Sequence, residues 1–431
     1  MITTRENLPG LTVTTLTLDA PLDAANAGSG TIEIFARVVT REGGDSKPYL
    51  VFLQGGPGNE APRPTLRPLF PAWLERALED YQVVMLDQRG TGCSTPVFSR
   101  VRAGSDGRVH AEAGGPLAGK NSAEQAEYLT HMRADEIVND CELVREALGT
   151  AKWTVLGQSF GGFTTIHYLS VHPESLDGAL ITGGLTAVGH PIDDVYSATW
   201  HTQIEKSEGF YSRFPGDRAR VREITALCAN DAVSLPNGDL VSPARFRTVG
   251  TLIGVEGGME QLHYLLGLDH RSAAFAHDLH DALPYTGRNP LYAVIHESSY
   301  ADGVATRWSA ERTMPECVRD DATILGGEHI HRSLFQEDSE LRPFAGAADL
   351  LAQHEWNRLY FPERLAEADV PVAAAVYCGD AYVPFEYSME TARLLPDCRV
   401  WVTSEYEHNG LRMGPAVIDH LIDLLKGRRW L

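Results

Sequence analysis

The run Val155-Leu156-Gly157-Gln158-Ser159-Phe160-Gly161-Gly162 sets a serine between glycines where a strand should meet a helix. The apolar, β-branched Trp153-Thr154-Val155-Leu156 precedes it, and the helix-compatible Phe163 to Leu169 follows. A nucleophile elbow needs this context, because a sharp strand-to-helix turn exposes the serine Oγ at a helix N-terminus. Flanking glycines lack side chains and so let strand and helix pack closely. A bare Gly-x-Ser-x-Gly also occurs in plain turns, so its partners decide the reading. A serine hydroxyl becomes a nucleophile when a base takes its proton and an acid orients that base. Asp380 follows the late apolar run Val372 to Tyr377, and His408 follows Arg399 to Val402. The chain order Ser, Asp, His is one in which successive strand ends present the three groups. Ser159, Asp380 and His408 are therefore the expected nucleophile, orienting acid and base of an acyl transfer.

The tetrahedral intermediate of that chemistry needs N–H donors aimed at the developing oxyanion. One expected donor is the backbone N–H of Phe160, which opens the elbow helix. The second should come from Gln54-Gly55-Gly56-Pro57-Gly58, directly after the buried run Leu50 to Leu53. Gly56 is the choice there; a plain Pro-Gly turn is the alternative.

These groups need a scaffold, and the hydrophobic pattern supplies one. Leu11 to Leu18 and Thr31 to Val39 alternate as half-buried antiparallel strands do. Pro48 to Leu53 and Tyr81 to Leu86 are short continuous apolar runs, as expected of fully buried strands. A helix is expected from about Leu69 to Glu79, and a long one from about Ala123 to Leu148, capped by Asn121 or Ser122. Val97 to Lys120 is rich in glycine and charge and reads as a surface insertion. Strands alternating with helices imply a parallel sheet covered on both faces. From about His190 to Tyr360 the pattern turns to amphipathic, helix-length segments, and a buried strand resumes at Pro371. The expected architecture is thus the α/β-hydrolase fold with an inserted, mainly helical cap: core residues 1–189, cap 190–360, core 361–431.

Bulk properties exclude several classes. The chain has 431 residues, 43% hydrophobic and 22% charged, with a formal net charge of −21. Such an acidic balance argues against nucleic acid and anionic membrane as partners. The N-terminal residues lack the apolar core of an export signal, and no stretch approaches a membrane span. The six cysteines form no C-x-x-C pair, so reduced thiols and a cytoplasmic location are expected. Glu328-His329-Ile330-His331 and His277-Asp278-Leu279-His280 cluster ligand-type residues, but neither finds a third partner in the sequence, so no metal is expected. Asp87 and Arg89 are expected to form a buried pair beneath the site, and Cys93 to be a packed thiol in the same loop.

Taken together, Gln54-Gly55-Gly56-Pro57-Gly58, Asp87-Gln88-Arg89-Gly90-x-Gly92-x-Ser94, Gly157-Gln158-Ser159-Phe160-Gly161-Gly162, Gly379-Asp380-x-x-Val383-Pro384 and Glu407-His408-Asn409-Gly410-Leu411 resemble the proline iminopeptidases (prolyl aminopeptidases), in particular the longer bacterial members. The resemblance spans essentially the whole chain. The family usually opens the first motif with His, where this chain has Gln54, and shorter members often carry Trp at the position of Phe160. The resemblance implies a serine aminopeptidase that removes N-terminal proline from peptides without a cofactor. It also implies cap carboxylates that hold the substrate ammonium. Ile295 to Tyr300 is similar to the family's cap segment, which makes Glu297 the candidate, a solvated helix-face Glu being the alternative. Glu205 and Glu208 are further candidates for a second carboxylate. Monomer and homo-oligomer both stay open. An esterase or amidase on the same scaffold is the rival reading, separated by whether a free substrate amine is required. A catalytically silent binding protein is the other, separated by titration with a serine-directed phosphonate.

Overall fold

The computed structural model describes residues 2–26, 28–103 and 109–429, with the side chains of residues 102, 103 and 109 left aside. Nine strands form the central sheet. They are β1 (Ile2–Leu8), β2 (Leu11–Pro21), β3 (Thr31–Arg41), β4 (Tyr49–Leu53), β5 (Gln82–Asp87), β6 (Trp153–Gln158), β7 (Leu176–Thr182), β8 (Val372–Tyr377) and β9 (Cys398–Thr403). Their spatial order is β1-β2-β3-β5-β4-β6-β7-β8-β9. The first three strands and the β3–β5 pair are antiparallel, and every later pairing is parallel.

The buried strands explain why helices lie on both faces. Successive side chains of a strand point to opposite sides. Val51, Leu53, Val84, Leu86, Val155 and Ile181 pack with Ile137 and Ile166 of the helices α3 (Ala134–Ala147) and α4 (Phe160–Val171). Leu50, Phe52, Val83, Met85, Leu156 and Leu180 join a second core, against Leu74 and Leu78 of α1 (Leu74–Asp80) and Leu421 and Ile422 of the terminal helix Ala416–Leu425. Both faces are dry, so these strands read as continuous apolar runs.

Between β7 and β8 the described residues form helices and turns, with one isolated bridge between Ser234 and Leu240. Part of this region has its own core around Phe210, Val221, Phe246, Val249 and Leu262. Its second half, including Leu291, Tyr300, Phe344 and Leu359, packs into the same cluster as α4.

Several expectations need correction. The first helix starts at Leu74, not Leu69, because Pro64, Pro68 and Pro71 break the preceding stretch, which forms a small strand pair, Thr65–Leu66 with Leu69–Phe70. The expected long helix is two. The first, α2 (Ser122–Leu129), is capped by Asn121 with Glu124 completing a capping box. The chain then turns extended at Arg133, whose guanidinium is drawn inward to Asp135 at 2.7 Å and to the carbonyls of Ala301 and Asn357. Within Val97 to Lys120, Ser99–Ala103 pairs with Val109–Ala113 as a hairpin; residues 104–108 lie outside the described residues.

Asp87 and Arg89 do not pair. Arg89 lies in the turn past β5, where its guanidinium makes a bidentate contact with buried Asp140, at 2.8 and 2.7 Å, and donates to the carbonyls of Leu22 and His131. Asp87 accepts from the Cys93 N–H at 3.0 Å and faces Arg37 at 3.4 Å. Cys93 itself is exposed, not packed. The Arg89–Asp140 pair ties the loop after β5 to α3. Arg89→Met should cost about 3–5 kcal/mol in urea unfolding, because Asp140 is left buried without its partner, and Arg89→Met/Asp140→Leu should recover much of that loss.

Candidate active site

Ser159 follows β6 with φ 55° and ψ −123°, a conformation that ordinary residues avoid. Its N–H donates to the Thr182 carbonyl at 3.1 Å, and its carbonyl accepts from Gly162 at 2.7 Å. Close packing dictates the elbow glycines. A Cβ on Gly161 would stand 1.9 Å from the Leu53 carbonyl oxygen, and one on Gly157 would stand 2.5 Å from the Gly161 carbonyl oxygen. The end of β4 is thereby pressed against the start of α4, and Gly55 against Ser159: a Cβ on Gly55 would lie 2.9 Å from the serine Cβ.

Asp380 sits just past β8 and His408 past β9. Asp380 Oδ2 lies 2.7 Å from His408 Nδ1, while Oδ1 accepts from the N–H groups of Tyr382 at 2.9 Å and Val383 at 3.1 Å. The carboxylate therefore holds the proton on Nδ1 and leaves Nε2 to act as base. Burial opposes charge on the imidazole, but Asp380 outweighs it, with Glu328 adding to the pull, and the His408 pKa is raised. Both groups border Gly183, where a Cβ would lie 3.2 Å from His408 Nδ1 and 3.3 Å from Asp380 Oδ2. At the neighbouring Gly184 a Cβ would lie 2.7 Å from the Ser159 carbonyl oxygen. The nucleophile and the acid–base pair thus meet over one glycine pair at the end of β7.

The oxyanion candidates flank the serine. Gln54 Oε1 accepts the Gly55 N–H at 3.0 Å, and the Gln54 carbonyl accepts from Gln88 Nε2 at 3.0 Å. The side chain at the departure from His thus steadies the loop. The N–H groups of Gly56 and Phe160 meet no protein acceptor among the described residues. Phe160 opens α4, where a helix leaves its first amides unpaired. Two free donors therefore stand beside Ser159, as an oxyanion hole requires.

The cap carboxylates sort differently from expectation. Glu297 is buried, but its Oε1 accepts the Ala310 N–H at 2.9 Å, and Thr306 and the Ser309 N–H also bond to it. Burial raises its pKa, and no Arg or Lys pairs with it among the described residues. Glu297 thus anchors the short helix Ser309–Arg312, and its carboxylate is already in use. Glu205 and Glu208 are exposed and face His201 at 3.3 Å and Arg218 at 2.5 Å.

Beyond Asp380, the carboxylate whose charge reaches His408 is Glu328. It is bonded to the Tyr292 hydroxyl and lies 3.3 Å from His296 Nε2, and Tyr196 Oη is 3.2 Å from the other nitrogen of that ring. Burial works against its charge, yet His296, the charge of His408 and the Tyr292 hydroxyl outweigh burial and hold it below its ordinary value. Glu328 lines a small pocket with Tyr196, His296, Tyr300 and Tyr382, and the Tyr382 ring lies 4.8 Å from His408. Sequence reasoning met Glu328 only as a candidate metal ligand. The available signal was a carboxylate between Gly326-Gly327 and two histidines inside the aromatic-rich region. His329 does not turn with it toward a metal: it stacks on Trp200 at 3.6 Å and lies 3.0 Å from the Thr199 hydroxyl. Ligand-type side chains converge at Asp23, His131 and Glu136, but Glu136 already accepts from Ala24 and faces Arg89 at 3.4 Å. His277 and His280 bring in nothing beyond Asp281, 3.8 Å from His280.

Residues 48–274 match the family model described as the alpha/beta hydrolase fold. The chain is 40% identical over 408 residues to a proline iminopeptidase of Aeromonas sobria, with 91% of this chain and 92% of that one covered. It is 30% identical over 435 residues to the proline iminopeptidase aneH of Aspergillus aculeatus, with 95% and 93% covered. A proline iminopeptidase of Arabidopsis thaliana is 29% identical over 169 residues, with 39% of this chain and 35% of that one covered.

An elbow glycine and a helix-interior glycine separate by their surroundings. Gly161→Ala should destabilise by about 1–3 kcal/mol or more, because its Cβ collides with backbone. Gly209→Ala, inside the helix α5 (Ile192–Arg213) with nothing within 4 Å of the added Cβ, should stabilise by about 0.4–1 kcal/mol. Thermal unfolding of both variants measures the contrast.

Proposed function

The chain belongs to the proline iminopeptidase family of α/β-hydrolases, and from that premise we infer that it is a serine aminopeptidase releasing N-terminal proline from peptides. In this reading Ser159 Oγ attacks the carbonyl carbon of the first residue while His408 Nε2 takes its proton. Asp380 keeps the imidazole in the right tautomer and stabilises its charged form. The N–H groups of Gly56 and Phe160 hold the oxyanion. His408 then protonates the leaving amine, and a water activated by the same nitrogen releases proline from the acyl-enzyme.

The observation that carries the aminopeptidase reading is Glu328, ionised in a buried aromatic setting and felt by His408. An anion there has no partner on a neutral acyl ester. It suits a secondary ammonium two bonds away from the carbonyl carbon under attack. Tyr196, Tyr300 and Tyr382 supply apolar faces for the pyrrolidine ring. The space they leave is about 10 Å³, so substrate entry moves these rings apart. No step calls for a cofactor. Six cysteines outside any disulfide suit a reducing, cytoplasmic setting, and peptides are the partners.

Ser159→Ala should fold normally and lose several orders of magnitude in kcat, since no other group can form the acyl-enzyme. Normal turnover by that variant would end the assignment.

Glu328→Gln tests the amine site. A lost charge-assisted contact of about 1.5–3 kcal/mol should cut kcat/KM for a prolyl anilide roughly 10- to 100-fold, and scarcely touch a neutral acyl ester. Equal losses on both substrates would sink the role. Glu297→Gln should instead lower stability and affect both substrates alike.

The pH profile gives an independent check. His408 must be neutral to act as base, and its pKa is raised above the ordinary 6.5. Ester kcat/KM should therefore climb with pH through a value above 6.5. In Glu328→Gln the anion that favours the imidazolium is gone, so this acid limb should move to lower pH.

A further inference from the structure

Beside the elbow lies a second charge that acyl transfer does not use. Arg412 lies in the short turn Gly410–Met413 that follows the catalytic histidine. Its Nε and Nη2 both lie 3.2 Å from Oε1 of Gln158, the residue before the nucleophile. A guanidinium has donors to spare after serving one amide oxygen. No carboxylate pairs with Arg412 among the described residues, in a chain with 58 acidic and 37 basic side chains. Elsewhere arginines close to the site are taken: Arg89 by Asp140, Arg288 by Glu60, Arg312 by Asp193.

Arg412 remains open to solvent along one side, while protein atoms crowd the other and push its pKa down. Its charge acts on Glu328 and Tyr292 in the cap and on His408 in the core. Around Ser159 the protein thus sets an anion, Glu328, whose charge reaches His408, and a cation, Arg412, anchored on the nucleophile's neighbour Gln158 with no carboxylate bonded to it among the described residues. A ligand that satisfies both has a positive end and a negative end.

This inference rests on the aminopeptidase reading: we propose that Arg412 binds the C-terminal carboxylate of the substrate and makes prolyl dipeptides the preferred substrate class. The prolyl ammonium goes to Glu328, the scissile carbonyl to Ser159, and the carboxylate of the departing amino acid to the free edge of the guanidinium. In a dipeptide the carboxylate stands one residue beyond the cleaved bond. Each added residue carries it roughly 3.3–3.6 Å further along an extended chain, past a group anchored on Gln158. The contact is present in both the bound substrate and the transition state, so it lowers KM and leaves kcat much the same.

The test compares prolyl-alanine with prolyl-alanine amide, at a pH above the acid limb, in the wild-type protein, Arg412→Gln and Arg412→Lys. Within each protein the ratio of the two kcat/KM values does not depend on the fraction folded. The wild type should favour the free acid by about 10- to 100-fold, mainly through KM. Arg412→Gln should bring the ratio to roughly 1, and Arg412→Lys should keep part of it, because an ammonium retains the charge without the fork. If the wild type cleaves both peptides equally well, the proposal falls and the aminopeptidase reading stands. If Arg412→Gln slows both peptides and keeps the wild-type ratio, Arg412 only clamps Gln158 and the proposal falls. If the wild type cleaves neither, both readings fall.

Discussion

The approach of α4 to the end of β4 governs this molecule. With the Leu53 carbonyl 1.9 Å from where a Gly161 Cβ would be, only glycine fits, and the turn between β6 and α4 has no room to relax. Ser159 is held there at φ 55°, a conformation that costs on the order of 1–3 kcal/mol when a non-glycine residue adopts it. Two dry cores, one on each face of the sheet, offset that strain and keep the serine at the edge of the cleft. The same squeeze sets Gly55 against the serine and brings the free Gly56 amide alongside. The strained serine and the unpaired amides proposed as oxyanion donors are thus products of one packing constraint.

The base is positioned differently, from the cap. The His408 N–H donates to the Gly254 carbonyl at 3.2 Å, the Glu407 N–H to Glu256 Oε1 at 2.6 Å, and the Glu256 N–H to Asn409 Oδ1 at 2.8 Å. Lys206 bonds Glu407, and the Tyr382 hydroxyl bonds the Thr251 carbonyl. The inserted helices therefore clasp the histidine loop as well as roofing the cleft. Hydrogen bonds of this kind are each modest, but a network that holds a loop of few internal contacts decides where its side chain points. A displaced cap would move the base relative to the serine, which belongs to the rigid sheet.

Electrostatics in the cleft are local and do not follow the overall acidity. A net charge of −21 is spread over the surface, whereas Glu328 stays ionised because Tyr292, His296 and His408 surround it. Glu297, only a short step away in the chain, faces backbone amides instead, and burial raises its pKa. Two glutamates of one region thus have their pKa values pushed in opposite directions by their partners.

Much of this was legible from the chain itself. Continuous apolar runs mark buried strands, glycines mark the elbow, and Asp380 and His408 stand in the loops after strands, so local pattern and turn chemistry reveal the fold class and bring forward an Asp–His pair that the structure places 2.7 Å apart. Those signals act over a few residues, which is why sequence carries them. The partner of Arg89, the break at Arg133 and the different partners of Glu328 and Glu297 were not legible. Each is decided by a group far away in sequence: Asp140 for Arg89, Ala301 and Asn357 for Arg133, His296 and His408 for Glu328. The role of a charged side chain depends on what faces it through space, and that is settled only when the cap folds against the sheet.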